Sequence, residues 1–165
     1  MFHITITGAD KTLQKALVIP ATYEGYTVTD IKYGAFMHTK FTSITVPDNI
    51  HMEQSVFSPS GQLQSIYFSE NVTFYGGYQL AVCSKLTDVT LPTTLTVLPL
   101  YMFYGCRSLP SIDIPDKVTT LRKHAFDGCT ALKTVHLPLS VTQIEEACFL
   151  GVPGETLHIY YAGRE

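Results

Sequence analysis

The sequence is poor in charge and has no excess of positive side chains. Only 15% of its 165 residues are charged, and 14 acidic against 11 basic residues give a formal net charge of −3. Nucleic acids and anionic membranes both bind basic surfaces, so neither is predicted as a partner. The apolar runs, such as residues 16–20, are too short to cross a bilayer, and the Met1 end is polar where a signal peptide would be apolar.

The motifs of common catalytic and metal sites are also missing from the sequence. It contains no nucleophile elbow, no phosphate-binding glycine loop, no HExxH segment and no CxxC pair. We therefore predict a protein that is not an enzyme and that uses no cofactor and no structural zinc. With 45% hydrophobic residues, the chain can nevertheless bury a core.

What the sequence does contain is a repeat of 23 residues. Residues 103–125, FYGCRSLPSIDIPDKVTTLRKHA, are followed directly by residues 126–148, FDGCTALKTVHLPLSVTQIEEAC, with Phe, Gly, Cys, Leu, Pro and Val at the same offsets. Repeats of this length indicate a solenoid, in which each coil buries its apolar face against its neighbours. The alternation in residues 111–114 predicts one short strand per coil, parallel to the next and ended by the following proline.

Two repeated positions predict what fills the core. Cys83, Cys106 and Cys129 are 23 residues apart, and we expect these thiols to be reduced and buried, because unpaired cysteine packs like a small apolar residue. An aromatic spine is predicted at the position of Phe36, Phe57, Leu80, Phe103, Phe126 and Phe149.

The repeat covers the chain as one predicted domain. Residues 1–35 are predicted to form an N-terminal cap and a first coil, residues 36–149 the repeats, and residues 150–165 a closing strand. Within the cap, the alternation in residues 2–19 predicts a β-hairpin. Residues 21–27 are an insertion, and insertions map to loops, which carry function more often than the scaffold does.

Outward-pointing side chains form two columns on the predicted concave face. One column is Thr45, Tyr67, Thr90, Asp113, His136 and His158, and its neighbour is Ser43, Ser65, Asp88, Ser111, Thr134 and Thr156. Because these side chains can form many hydrogen bonds, we predict a partner-binding surface at Tyr67, Asp88, Thr90, Asp113, His136 and His158. The alternative is that Ser and Thr merely suit exposed strand positions.

Asp113, His136 and His158 allow a further interpretation. One carboxylate and two imidazoles on adjacent strands are the ligand types of a transition-metal site. The other interpretation is a solvated ladder, because parallel strands are about 4.8 Å apart and convergence on one ion requires particular rotamers.

The pattern F-x-G-C-x-x-L-x-x-I-x-I-P-x-x-V-x-x-L-x-x-x-A, in residues 103–125 and again in residues 126–148, resembles the BspA-like leucine-rich repeat. The segments VIPATYEGYTVTDIKYGAF and LHIYYAGRE resemble the flanks of that family, whose longer members continue beyond the second segment. The resemblance implies a mainly β, right-handed leucine-rich-repeat solenoid with a strand-lined concave face. It also implies an extracellular or cell-surface protein that binds host or neighbouring surface proteins.

Two functions are compatible with these observations. The first is a non-catalytic protein-interaction module of an adhesin-like protein, in which a rigid stack lowers the ordering cost of binding. The second is a structural spacer whose repeats extend a larger protein.

Overall fold

The computed structural model describes residues 2–161, which form fifteen strands and no helix. In chain order the strands are β1 (His3–Ile6), β2 (Ala16–Val18), β3 (Thr22–Tyr23), β4 (Tyr26–Ile31), β5 (Ser43–Val46), β6 (His51–Met52), β7 (Ser65–Phe68), β8 (Thr73–Phe74), β9 (Asp88–Thr90), β10 (Val97–Leu98), β11 (Ser111–Asp113), β12 (Thr120–Leu121), β13 (Thr134–Leu137), β14 (Gln143–Ile144) and β15 (His158–Tyr161).

The strands stack coil upon coil along two sides of the molecule. The first side contains the sheets β2-β5-β7-β9 and β11-β13-β15, and the second side contains β1-β4-β6-β8 and β10-β12-β14. All pairs along these four paths are parallel, and partners such as Ser111 and Thr134 are 23 residues apart. The predicted solenoid is thereby confirmed, with about seven turns. We call the outward surface of the first side the strand face, which corresponds to the predicted concave face.

The predicted hairpin in residues 2–19 is wrong. β1 pairs with β4 on the second side, whereas β2 pairs with β5 on the first side, and both pairs are parallel. These residues therefore form a first coil, because each strand finds its hydrogen-bond partners in the following coil. A hairpin occurs instead within the insertion, where β3 pairs with the start of β4. Glu24 (φ 50°) and Gly25 (φ 81°) form its tight turn, as a type I′ turn requires.

The second strand of each coil was not predicted. β6, β8, β10, β12 and β14 have two residues each, which is too short for an alternating pattern to be visible in the sequence. The inward residues of three of them, Met52, Leu98 and Leu121, are fully buried, whereas Phe74 of β8 is half-buried and Ile144 of β14 is exposed. These short strands close each coil against the core.

The predicted aromatic spine is present in the core. The rings of Phe103 and Phe126 stack with centroids 5.3 Å apart, those of Phe126 and Phe149 are 5.2 Å apart, and those of Phe36 and Phe57 are 5.4 Å apart. Backbone hydrogen bonds accompany the stack, such as the one from Phe103 N–H to Ala125 O at 2.8 Å. The spine turns thus form a third ladder, in addition to those on the two sides.

The cysteines are buried free thiols, as predicted, and they also donate hydrogen bonds. Cys106 Sγ donates to Leu80 O and Cys129 Sγ to Phe103 O, each over 3.1 Å. Each acceptor is the carbonyl of the spine residue in the preceding coil. Ser60 has the equivalent position one coil before Cys83, and its Oγ donates to Phe36 O at 2.8 Å. The repeated position therefore requires a small buried donor as well as a small volume.

Each side of the solenoid has one interruption in its hydrogen-bonded ladder. On the first side, Gln64, Thr87 and Lys133 donate backbone N–H groups to the preceding coil just before their strands. Pro110 has the same position before β11 and cannot donate, and β9 and β11 belong to separate sheets. The ladder is thus interrupted where a proline replaces a donor.

A second proline accompanies the interruption on the second side. Arg122 N–H and Glu145 N–H donate to the preceding coil just after β12 and β14. Pro99 takes this position after β10, and β8 and β10 are in separate sheets. The two coils approach each other closely there. A Cβ on Gly77 would lie only 2.3 Å from Leu100 O.

Candidate functional site

The strand face brings most of the predicted binding residues into one column. Thr45, Tyr67 and Thr90 are consecutive partners on β5, β7 and β9. Asp113 and His136 are partners on β11 and β13. Tyr67, Thr90, Asp113 and His136 are all exposed, because the first and third residues of each of these strands point away from the core. Asp88 lies in the neighbouring column, between Ser65 and the interruption before β11.

The predicted position of His158 is wrong. His158 pairs with Thr134, so it lies in the neighbouring column, where Thr156 was predicted. Tyr160 is the partner of His136 and continues the column of Asp113. The reason is the closing turn, in which Thr156 N–H donates to Pro153 O. This turn lengthens the last coil to 24 residues, since His136 and Tyr160 are paired.

The proposed metal set of Asp113, His136 and His158 is consequently not formed. Among residues 2–161, no group of three His, Cys, Asp or Glu side chains is placed to share an ion. Instead, His136 Nδ1 contacts Asp113 Oδ1, and the ring of Tyr160 lies 5.2 Å from that of His136. The arrangement is a hydrogen-bonded Asp–His pair flanked by an aromatic ring.

The carboxylates of the strand face form no ion pairs with lysine or arginine in the described residues. All three ion pairs of Lys or Arg in the described residues lie next to the second side: Lys32 with Glu53, Arg122 with Glu145, and Lys123 with Glu146. None involves a carboxylate of the strand face or of the turns that follow its strands, namely Asp48, Glu70, Asp88, Asp113 and Asp116. Among residues 2–161, these carboxylates are therefore not held in ion pairs with lysine or arginine and can contact a ligand.

A groove of about 580 Å³ opens at the ends of β11 and β13. It is lined by Asp113, Ile114, Asp116, His136, Leu137, Pro138, Leu139 and Ser140. A smaller groove of about 390 Å³ lies on the other side of Asp113, at the interruption between β9 and β11. The strand face is therefore recessed on both sides of Asp113, and the smaller recess lies at the interrupted ladder.

Asp116, Leu139 and Tyr160 were not predicted as candidate site residues. Asp116 and Leu139 follow the prolines that end β11 and β13, and only the outward columns within strands had been considered. A comparison of the residues after each proline could have found Leu139, because Asp48, Thr93 and Asp116 at this position are polar. The position of Tyr160 in the column depends on the length of the last coil, which the repeat does not determine.

Residues 2–161 contain no helix, and so none long and apolar enough to cross a bilayer. Burial raises the pKa of the Cys83, Cys129 and Cys148 thiols to about 12, because the thiolate would lose its hydration. The four thiols are accordingly core groups and no part of a nucleophilic site at neutral pH.

Three solved structures of bacterial proteins resemble this fold. A leucine-rich repeat protein of T. pallidum has a TM-score of 0.69 and 18% identity over 92% of this chain and 84% of its own. A protein from Eubacterium ventriosum ATCC 27560 has a TM-score of 0.73 and 20% identity over 89% of this chain and 46% of its own. A leucine-rich cell surface protein of Faecalibacterium prausnitzii A2-165 has a TM-score of 0.64 and 23% identity over 93% of this chain and 61% of its own.

At these identities the structures show a shared fold. The chain spans less than two thirds of the length of the Eubacterium and Faecalibacterium proteins. No curated protein sequence gives a significant match. The model of the BspA-type leucine-rich repeat region, in contrast, matches six copies over residues 29–156. The chain therefore belongs to the BspA-type leucine-rich repeat family.

Proposed function

We propose that this solenoid is a non-catalytic protein-interaction module of a cell-surface or secreted protein, and that it binds its partner through the strand face. The observation that carries the proposal is the column of polar and aromatic side chains on that face, in which Tyr67, Thr90, Asp113 and His136 are exposed and Thr45 and Tyr160 are half-buried. The adhesin-like role and the surface location are supported by the family, which is typical of bacterial surface proteins.

The backbone supports this proposal by fixing the spacing of the column. Within each of the two sheets on this face, parallel pairing holds neighbouring members about 4.8 Å apart, so a partner meets side chains whose positions are already ordered. A binding surface of this kind loses little conformational entropy on association. The hydroxyls, the Tyr67 ring and the Asp113–His136 pair offer both donors and acceptors.

The test is affinity enrichment with mass spectrometry from the surface proteins of cells or hosts that the organism contacts. The wild-type chain is compared with a variant that combines Tyr67→Ala, Asp113→Ala and His136→Ala. We expect the wild type to enrich a protein that this variant loses, because all three side chains are exposed. Once they are removed, few side chains of the column remain to contact the partner.

The second side offers a matched control that likewise removes one tyrosine, one histidine and one carboxylate. Tyr75, His51 and Glu146 are exposed there, and their combined change to Ala should leave enrichment intact. Thermal melts establish that both variants are folded. If no protein distinguishes the two variants, the strand face is not the binding surface, and the spacer function or the hairpin of residues 21–27 replaces it.

A further inference from the structure

The larger groove of the strand face has an apolar floor, and two carboxylates and an exposed leucine are part of its lining. Ile114 and Leu137 form the floor and are 5% exposed. The carboxylates are those of Asp113 and Asp116, and His136 holds one oxygen of the Asp113 carboxylate. The Asp113 side chain is 86% exposed, so its other oxygen remains accessible to a ligand.

Leu139 also lines the groove and is unusual for its position. Its side chain is 70% exposed, although it directly follows the proline that ends β13. Asp48, Thr93 and Asp116 have this position after their prolines in other coils, so the fold itself does not require an apolar residue there. An exposed leucine beside a groove is therefore available for contact with a second molecule.

The charge of the groove limits what it can accept. The lining of the larger groove has two carboxylates and no lysine or arginine. Lys117 lines the smaller groove on the other side of Asp113, and among residues 2–161 neither carboxylate has a Lys or Arg ion pair. An acidic or neutral segment would leave both carboxylates desolvated without compensation. A guanidinium or ammonium group would compensate them, and its aliphatic stem would cover the floor.

We propose that the groove binds a segment of a partner protein in which an arginine or lysine is adjacent to an apolar side chain. The cation lies between Asp113 and Asp116, and the apolar neighbour packs on Leu139. This inference rests on the proposed function, since it specifies the partner chemistry that one part of the strand face recognises.

The test uses defined peptides and the whole chain. A fluorescein-labelled octapeptide of alternating leucine and arginine is titrated by fluorescence anisotropy, beside one of alternating leucine and glutamate and one of alternating glycine and arginine. We expect saturable binding of the leucine–arginine peptide, at least about tenfold tighter than either of the others. The affinity should fall between about 50 mM and about 300 mM salt, because screening weakens the charge contacts.

Three variants separate the groove from general attraction between charges. Asp113→Asn combined with Asp116→Asn should weaken binding of the leucine–arginine peptide at least about tenfold. Leu139→Thr should weaken binding of this peptide severalfold. Threonine is tolerated at this position of the repeat, because Thr93 has it in another coil. Asp48→Asn removes an unpaired carboxylate of the same face outside the groove and should leave the affinity unchanged. Thermal melts verify that each variant is folded.

If Asp48→Asn and the groove variants lose equal affinity for the leucine–arginine peptide, the binding is non-specific charge attraction and the inference is overturned. Comparable binding of the leucine–glutamate peptide, or no binding of the leucine–arginine peptide, would also overturn it. The proposed function is tested independently of the groove. If a protein is enriched through Tyr67, Asp113 and His136 but its enrichment does not change in Asp116→Asn and Leu139→Thr, the proposed function holds and the groove is not part of it.

Discussion

At the scale of single residues, Val82 has an unfavourable backbone conformation. It occupies the position that Gly105, Gly128 and Gly151 have in the later coils, and all four residues have positive φ. The φ of Val82 is 59°, a region where a β-branched side chain is strained. The coil geometry therefore determines this backbone angle, although the sequence does not supply the residue best suited to it.

Val82→Gly should stabilise the protein by about 0.5–1 kcal/mol. Relief of the left-handed strain is worth about 1–2 kcal/mol, and the greater freedom of glycine in the unfolded chain offsets part of it. The side chain of Val82 is 46% exposed, so little packing is lost. Urea denaturation gives the free energy of unfolding, with Gly105→Ala as the reciprocal variant that should lose stability. A lower midpoint for Val82→Gly would show that Val82 packing outweighs strain.

The buried thiols predict a loss of stability in alkali. Their pKa is raised on folding by desolvation, so the folded chain binds these protons more tightly than the unfolded chain does. Their contribution is therefore complete below the unfolded pKa near about 8.5 and declines as the pH rises toward the folded value. The decline approaches about 1.4 kcal/mol per pH unit for each thiol.

Urea midpoints measured from about pH 8 to about pH 10 check this expectation. Cys106→Ser should reduce the slope against pH, because one titrating thiol is removed while a donor to Leu80 O is kept, as Ser60 already provides for Phe36 O. A slope equal in the wild type and the variant would mean that groups other than the thiols govern the alkaline transition.

At the scale of elements, the aromatic spine runs through the apolar core from coil to coil. Phe126 is fully buried and stacks on Phe103 and Phe149. We expect Phe126→Ala to cost about 3–5 kcal/mol, because it leaves a cavity between two stacked rings. Phe126→Leu should cost much less, since Leu80 fills the same position in another coil. Chemical denaturation of both variants is the measurement, and similar losses would show that shape at this site matters more than volume.

The interruption before β11 gives a prediction for local protection. Pro110→Lys introduces the residue that Lys133 has in the next coil, with an N–H that can donate to Thr87 O. Amides of β11 should then exchange about tenfold more slowly, as one added hydrogen bond implies. Global stability should change by less than about 1 kcal/mol, because the loss of proline loosens the unfolded chain.

Hydrogen exchange read by NMR checks this, with the amides of β13 as an internal reference already paired on both sides. Unchanged exchange in β11 would mean that Pro110 is not the cause of the interruption.

At the scale of the whole molecule, the repeat was sufficient to predict the solenoid, the parallel strands, the buried thiols and the Phe spine. These follow from residues that recur at a fixed spacing, because each recurrence must meet its copy in the next coil. Prediction failed where the spacing changes. The first coil was interpreted as a hairpin since alternation does not say which partner a strand has. His158 was assigned to the wrong column since the closing turn adds a residue.

The candidate site was less predictable than the fold. Tyr67, Asp113 and His136 were found because they lie in strands, whose outward positions alternate. The groove beside them depends on Leu139 and on the turn after β13, and its shape depends on how neighbouring coils approach each other. The hydrogen bonds of the thiols were equally hidden, because they join positions 26 residues apart in different coils.

The two proline interruptions fall at different boundaries between coils. Pro99 interrupts the second side between residues 57–79 and 80–102, whereas Pro110 interrupts the first side between residues 80–102 and 103–125. At both boundaries the spine ladder continues, through Phe57 N–H to Gln79 O and Leu80 N–H to Met102 O. Each boundary thus retains two of its three ladders. Under a pulling force, no single boundary between these coils is weakened on both sides. A separation of coils that begins at one proline reaches the other only by crossing from one boundary to the next.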